Sequence, residues 1–148
     1  MAKSHYLSNN EFTKLVLKYI WYRSRWRTNP VKYSQYTEIQ DKLYYSIQLL
    51  VKNILRGTYW LKADKEDTEQ EAIILCMEKI HMFKKNKGKA FNYATTIIMN
   101  YIKQAHRSTM NYEETKVRYG QHLLSKENKV HYNHKPKLYS KDTRYDEI

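Results

Sequence analysis

Residues that punctuate a chain are scarce here: three glycines and two prolines in 148 residues. Hairpins and sandwiches need Gly, Pro and Asn-Gly turns at short intervals. Without them, the chain must organise itself through the period of its apolar residues, and that period is helical. The predicted fold class is therefore all-α, a compact helical bundle.

The periodicity predicts four helices. The first spans about Asn9 to Trp26, capped by Asn9 or Asn10, with Phe12, Leu15, Val16, Tyr19 and Ile20 at helical spacing. Asn29-Pro30 predicts a break, and Val31 to Tyr36 reads as a polar, tyrosine-rich linker. The second helix spans about Thr37 to Arg56, with an apolar stripe of Ile39, Leu43, Ile47, Leu50, Val51 and Ile54 and a stop at Gly57. The third begins near Asp67 or Thr68, where Thr68 and Glu71 fit a capping box. Ile73, Cys76, Met77, Ile80 and Phe83 line its apolar face, and Ile74 falls off that face. After a lysine-rich turn, Lys84 to Lys89, the fourth helix spans about Ala90 to Arg107, with Phe91, Ala94, Ile98, Tyr101, Ile102 and Ala105 inward.

Apolar residues thin out from Ser108 onward. Residues 1–110 read as the helical domain and 111–148 as a basic tail, with room for one further helix over Tyr112 to Ser125. Lys126 to Ile148 is expected to be flexible unless bound.

Charge narrows the function. Lys and Arg number 27 against 15 acidic residues, net +12, which favours a polyanionic partner. The excess is uneven, +8 over residues 84–148 and +4 over residues 1–83. One cysteine, Cys76, excludes an intrachain disulfide and fits a reducing cytosol. No apolar run reaches membrane-spanning length, and the N-terminal residues lack the long apolar stretch of a signal peptide. A catalytic reading has little behind it. There is no glycine-rich phosphate loop and no nucleophile arrangement, and the Asp64, Glu66, Asp67 group sits at a helix start rather than forming a nuclease metal site. His131-x-x-His134 lacks further ligands, so neither metal nor cofactor is expected.

Two stripes carry the function. On the third helix, Asp67, Gln70, Glu71 and Glu78 form an acidic face suited to a basic protein partner, and the same charges favour a helix N-terminus. On the fourth, Asn92, Thr96, Asn100, Lys103 and Arg107 form a polar, partly basic stripe beside Lys84, Lys85, Lys87 and Lys89. Asn reads base edges, cations neutralise phosphates, and aromatic residues at the helix start stack unpaired bases.

In order and spacing, Asp67 to Arg107 resembles region two of the sigma-70 class of bacterial sigma factors. The resemblance rests on Asp67, Gln70 and Glu71 (Asp, two residues, Gln-Glu), then Phe83 and Gly88, then Phe91-Asn92-Tyr93-Ala94-Thr95, then Lys103-Gln104-Ala105 and Arg107. Asn9-Asn10-Glu11-Phe12 and the helix through Trp21 are similar to the small late-transcription sigma factors of large tailed bacteriophages. The resemblance implies a promoter-specificity subunit that performs no chemistry itself and works in the bacterial cytoplasm. Asp67, Gln70, Glu71 and Glu78 would grip the clamp helices of the largest core RNA polymerase subunit. Lys89, Phe91, Asn92, Tyr93, Thr96, Asn100, Lys103, Gln104 and Arg107 would face an AT-rich minus-ten promoter element. Two departures stand out. Thr95-Thr96-Ile97 replaces the adjacent tryptophans that wedge the duplex in housekeeping members, and the stretch after Arg107 is too short and polar for a minus-thirty-five domain. In the phage proteins the tail reaches a sliding clamp; Tyr139 to Ile148 does not clearly match that tail, and the resemblance leaves a sliding clamp or a co-activator as the tail's partner. The alternative reading is a free-standing basic DNA- or RNA-binding module that does not bind polymerase.

Overall fold

The structure, a computed structural model, describes residues 8–133. The chain divides into two compact units, Met1–Met110 and Asn111–Ile148. The described residues are α-helices and short 3₁₀ turns, with no strand among them. The all-α class follows.

In the first unit, α1 spans Asn9–Arg23. Its cap is Ser8 rather than Asn9 or Asn10. The Ser8 hydroxyl accepts the Glu11 N–H at 3.3 Å, and the Glu11 carboxylate accepts the Ser8 N–H at 2.9 Å, a reciprocal box. The helix ends before Trp26, because the Ser24 hydroxyl and the Arg25 guanidinium both donate to the Trp21 carbonyl. Trp26–Thr28 is a separate 3₁₀ turn.

The expected linker at Val31 to Tyr36 is helical: α2 runs Pro30–Arg56. Asn29-Pro30 is a start signal as well as a break. Asn29 accepts the Val31 N–H at 2.9 Å, and Pro30 sits in the first turn, where no N–H is needed. Leu43, Ile47, Leu50, Val51 and Leu55 are buried along this helix, which packs against both α1 and α3.

Helix α3, Lys65–Lys79, starts earlier than Asp67 or Thr68. Asp64 is the cap, accepting the Asp67 N–H at 3.0 Å. Thr68 is buried and donates its hydroxyl to the Asp64 carbonyl, so it forms no capping box with Glu71. Asp outranks Thr at this position. Two 3₁₀ turns, Ile80–Met82 and Lys85–Lys87, lead to α4, Ala90–Asn133. Helical backbone runs through Arg107 and Ser108, where an end was expected; no Gly or Pro interrupts it before Gly120.

The core gathers Phe12, Val16 and Tyr19 of α1, the α2 stripe, Ala72, Ile73 and Cys76 of α3, Ile80 and Phe83, and Ala90, Ala94, Ile98 and Ile102 of α4. Each fully buried Ile or Leu contributes roughly 1.5–3 kcal/mol by leaving water. Burial pushes the Cys76 thiol up to about 12. Burial, then the neighbouring Tyr36, pushes the Tyr19 hydroxyl to about 12.

In the second unit, the described part of α4 from Asn111 buries no side chain through Lys129. Local pairs support it. Arg118 meets Glu114 at 2.6 Å one turn away, and the Lys116 ammonium lies 4.5 Å from the centre of the Tyr112 ring. His134 and the ending Tyr139 to Ile148 lie outside the described residues.

Candidate partner and nucleic-acid surfaces

The buried face of α3 fixes what its other side presents. With Ala72, Ile73 and Cys76 in the core, Asp67, Gln70, Glu71 and Glu78 are all exposed. Glu69 is not part of that face. It turns toward α2, where its carboxylate stands 3.8 Å from the Lys52 ammonium. Tyr101, half-buried on α4, marks the edge of the acidic patch. Its hydroxyl is raised above the usual range, first by burial and then by the charges of Glu71 and Asp67.

Ile74 gains a place here. It is 51% exposed and lies one helical turn from both Gln70 and Glu78, so it sits inside the acidic stripe rather than beside it. With Tyr44, Met77 and Glu78 it lines a groove of about 630 Å³ between the helices. An exposed isoleucine flanked by Glu71 and Glu78 is the kind of apolar anchor that protein interfaces use. Core periodicity could not find it, because the signal is its failure to fit the core.

On α4, Lys89, Asn92, Thr96, Asn100, Lys103, Gln104 and Arg107 are exposed. The Thr96 hydroxyl donates to the Asn92 carbonyl at 2.8 Å. Phe91 and Tyr93 are only half-exposed, because both rings serve the packing. Phe91 meets Phe12 edge-on with centroids 6.4 Å apart. Tyr93 rests on Phe83 at 5.7 Å and donates its hydroxyl to the Lys79 carbonyl at 3.4 Å.

The lysine turn folds back onto the start of this helix. Gly88 has φ 120°, a conformation that strains any residue with a Cβ, so glycine is required for the reversal. The turn and helix enclose a groove of about 430 Å³ lined by Met82, Phe83, Lys84, Lys87, Gly88, Lys89, Asn92, Tyr93 and Thr96. It brings Lys89, Asn92, Tyr93 and Thr96 together. Asn100, Lys103, Gln104 and Arg107 lie farther along the helix and do not line it. Of its lining, Met82 joins the site only through this fold, and Lys84 and Lys87, neighbours of the stripe in sequence, are brought against Asn92 and Thr96 by it. Charge sorts with these surfaces: no acidic residue occurs between Lys79 and Tyr112.

Among the described residues, no group of His, Cys, Asp and Glu is placed to hold a metal ion, and no helix is long and apolar enough to cross a membrane. No protein family, curated protein or solved structure matches this chain.

Proposed function

We propose that this chain is a sigma-type promoter-specificity subunit, of the phage late-transcription kind, which binds bacterial core RNA polymerase through α3 and a minus-ten-like AT-rich element through the start of α4. The observation that carries this reading is the sorting of charge onto two outward faces. Asp67, Gln70, Glu71 and Glu78 leave the core on one helix. Lysines, Asn92, Thr96, Asn100, Lys103 and Arg107 leave it on the next. A protein that only coated nucleic acid would gain nothing from an acidic stripe with an exposed Ile74 in it, since like charge repels phosphate.

The division of labour follows from the chemistry. The acidic stripe pairs with a basic helical surface, and Ile74 enters an apolar gap between the charges. The lysine groove draws in phosphates, while Asn92 and Asn100 offer donors and acceptors to base edges. The half-buried positions of Phe91 and Tyr93 favour hydrogen bonding and charge over deep ring intercalation at this groove. The polymerase supplies the catalysis. A sliding-clamp contact through the tail belongs to residues beyond those described.

Binding of bacterial core polymerase to the purified chain tests the proposal. Glu71→Lys should weaken the complex by roughly 2–5 kcal/mol, the cost of breaking a close interfacial charge pair. The fold should tolerate it, because Glu71 is exposed. Wild-type affinity in a folded Glu71→Lys protein would sink the polymerase half. For the DNA half, Lys103→Ala and Arg107→Ala should each flatten the log–log salt dependence of promoter binding by about 0.7–0.9. Unaltered slopes would remove both residues from the DNA surface. A chain that binds DNA but never polymerase would be the free-standing module instead.

A further inference from the structure

A second cationic region lies away from the α4 stripe. No acidic residue occurs between Phe12 and Thr37, a stretch that carries Lys14, Lys18, Arg23, Arg25, Arg27 and Lys32. The turn between α1 and α2 gathers its rings into one stack. Trp26 lies 5.9 Å from Tyr36 with planes 16° apart, and Tyr36 lies 5.7 Å from Tyr19. The rings hold the cations in place: the Arg27 guanidinium is 5.4 Å from the Trp26 ring centre, and Arg25 is 4.5 Å from that of Trp21.

This corner encloses a cavity of about 430 Å³, lined by Arg23, Ser24, Trp26, Arg27, Tyr36 and His81 beside Ile20. His81 belongs to the Ile80–Met82 turn, which packs on α1. Its Nδ1 is buried and has no hydrogen-bond partner among the described residues. No carboxylate lines the cavity, and neither arginine is ion-paired among the described residues. Two guanidiniums and a hydroxyl around a small space are the donor set of a phosphate site.

We propose that this α1–α2 corner binds a phosphoryl group. Arg27 and Arg23 supply charge-assisted hydrogen bonds, and the Ser24 hydroxyl adds a neutral one. The faces of Trp26 are occupied by Tyr36 and Arg27, so the ring orients the guanidinium rather than stacking a base. The phosphoryl group belongs to a free nucleotide or to a polynucleotide backbone, and the two sources are separable. The site stands whether or not the chain binds polymerase.

The test is a titration of the ¹⁵N-labelled full chain, followed by NMR at the His81 imidazole and the amides of residues 24–28. The probes are adenosine 5′-monophosphate and an eight-nucleotide single-stranded DNA. Saturable shifts at His81 and Arg27 with the mononucleotide identify a free nucleotide as sufficient. Shifts there with the DNA alone identify the backbone. Arg27→Ala, an exposed position the core does not need, should raise the dissociation constant read at His81 about tenfold, the loss of one charged hydrogen bond. Lys65→Ala, an exposed lysine outside both surfaces, should leave it unchanged. The proposal is overturned if neither probe moves the corner, if shifts stay confined to residues 84–96, or if Arg27→Ala binds as wild type does.

Discussion

Between Ala90 and Met110, α4 places Ala90, Ala94, Ile98 and Ile102 wholly inside the core; between Asn111 and Lys129 it buries nothing. The backbone conformation is the same and the sources of stability differ. In the first stretch, tertiary packing selects the helix and dictates which side faces out. That is how Asn92, Thr96, Asn100, Lys103 and Arg107 come to share an exposed stripe. In the second stretch only intrinsic propensity and neighbours one turn away act, and Tyr112, Val117, Tyr119, Leu123 and Leu124 stay exposed. A surface displayed by a packed helix has a fixed geometry. One displayed by an unpacked helix keeps its geometry only as long as the helix persists.

The most forceful way to break this contrast is to truncate matching side chains. Ile98→Ala should cost roughly 2–5 kcal/mol in urea unfolding, because it removes a fully buried side chain and leaves a cavity. Leu124→Ala, at 61% exposure, should stay within about 0.5 kcal/mol. Comparable losses at the two sites would mean that Leu124 is covered in solution, and the contrast would fail.

Alkaline pH probes the packed side more gently. The Cys76 thiol moves from 9.0 to about 12 and the Tyr19 hydroxyl from 10.0 to about 12, both because burial opposes the charged form. Raised folded values mean that stability is fully present below pH 9. It then falls as pH rises toward 12, since the unfolded chain ionises first. The urea midpoint should therefore drop between pH 8 and pH 10.5, and Cys76→Ala with Tyr19→Phe should flatten that drop. An equally steep drop in the double variant would place the alkaline sensitivity elsewhere.

The same contrast explains what could be read from residues alone. The apolar stripe from Ile39 to Ile54 announced α2, and Ala94, Ile98 and Ile102 announced the inner face of α4, because burial imposes a period on sequence. Where burial is not the cause, reading failed. The first turns of α2 carry Tyr33 and Tyr36, rings that pack on Trp26 at the corner, with Tyr36 also reaching Tyr19 at the edge of the core; they set no aliphatic stripe, so the stretch reads as a linker. Asn29-Pro30 was taken for an ending, since one dipeptide serves both to stop a helix and to cap the next. Beyond Arg107 the missing apolar period suggested an end, yet a helix without a partner needs no such period. Thr68 offered a cap, but Asp64 lay closer to the true start and took the role. The acidic and basic stripes were legible as spacings. Their grooves were not, because Met82, Lys84 and Lys87 reach Asn92 and Thr96 only after the Gly88 reversal. Ile74 shows in the sequence only as a misfit on the apolar face, and its place in the acidic stripe comes with the fold; His81 gives no such signal, because one buried polar atom leaves no period.

The finest test uses Gly120, inside the unpacked stretch. A Cβ built there meets no heavy atom within 4 Å, and Gly120 is not among the glycines with positive φ. Nothing in the fold asks for glycine at this position, so its effect is the entropy of a flexible backbone. Gly120→Ala should favour the local helix by about 1 kcal/mol. That gain should appear as slower amide exchange around residues 116–124 and a stronger helical circular dichroism signal. Unfolding of the core, reported by Ile98 and its neighbours, should hardly move. If Gly120→Ala instead slows exchange nowhere, the stretch is already held by something beyond its own propensity. If it lowers stability, the missing side chain was leaving room for a contact that the isolated helix does not make. Either result would show that this part of α4 is shaped by an interaction, as the part before Met110 is shaped by the core.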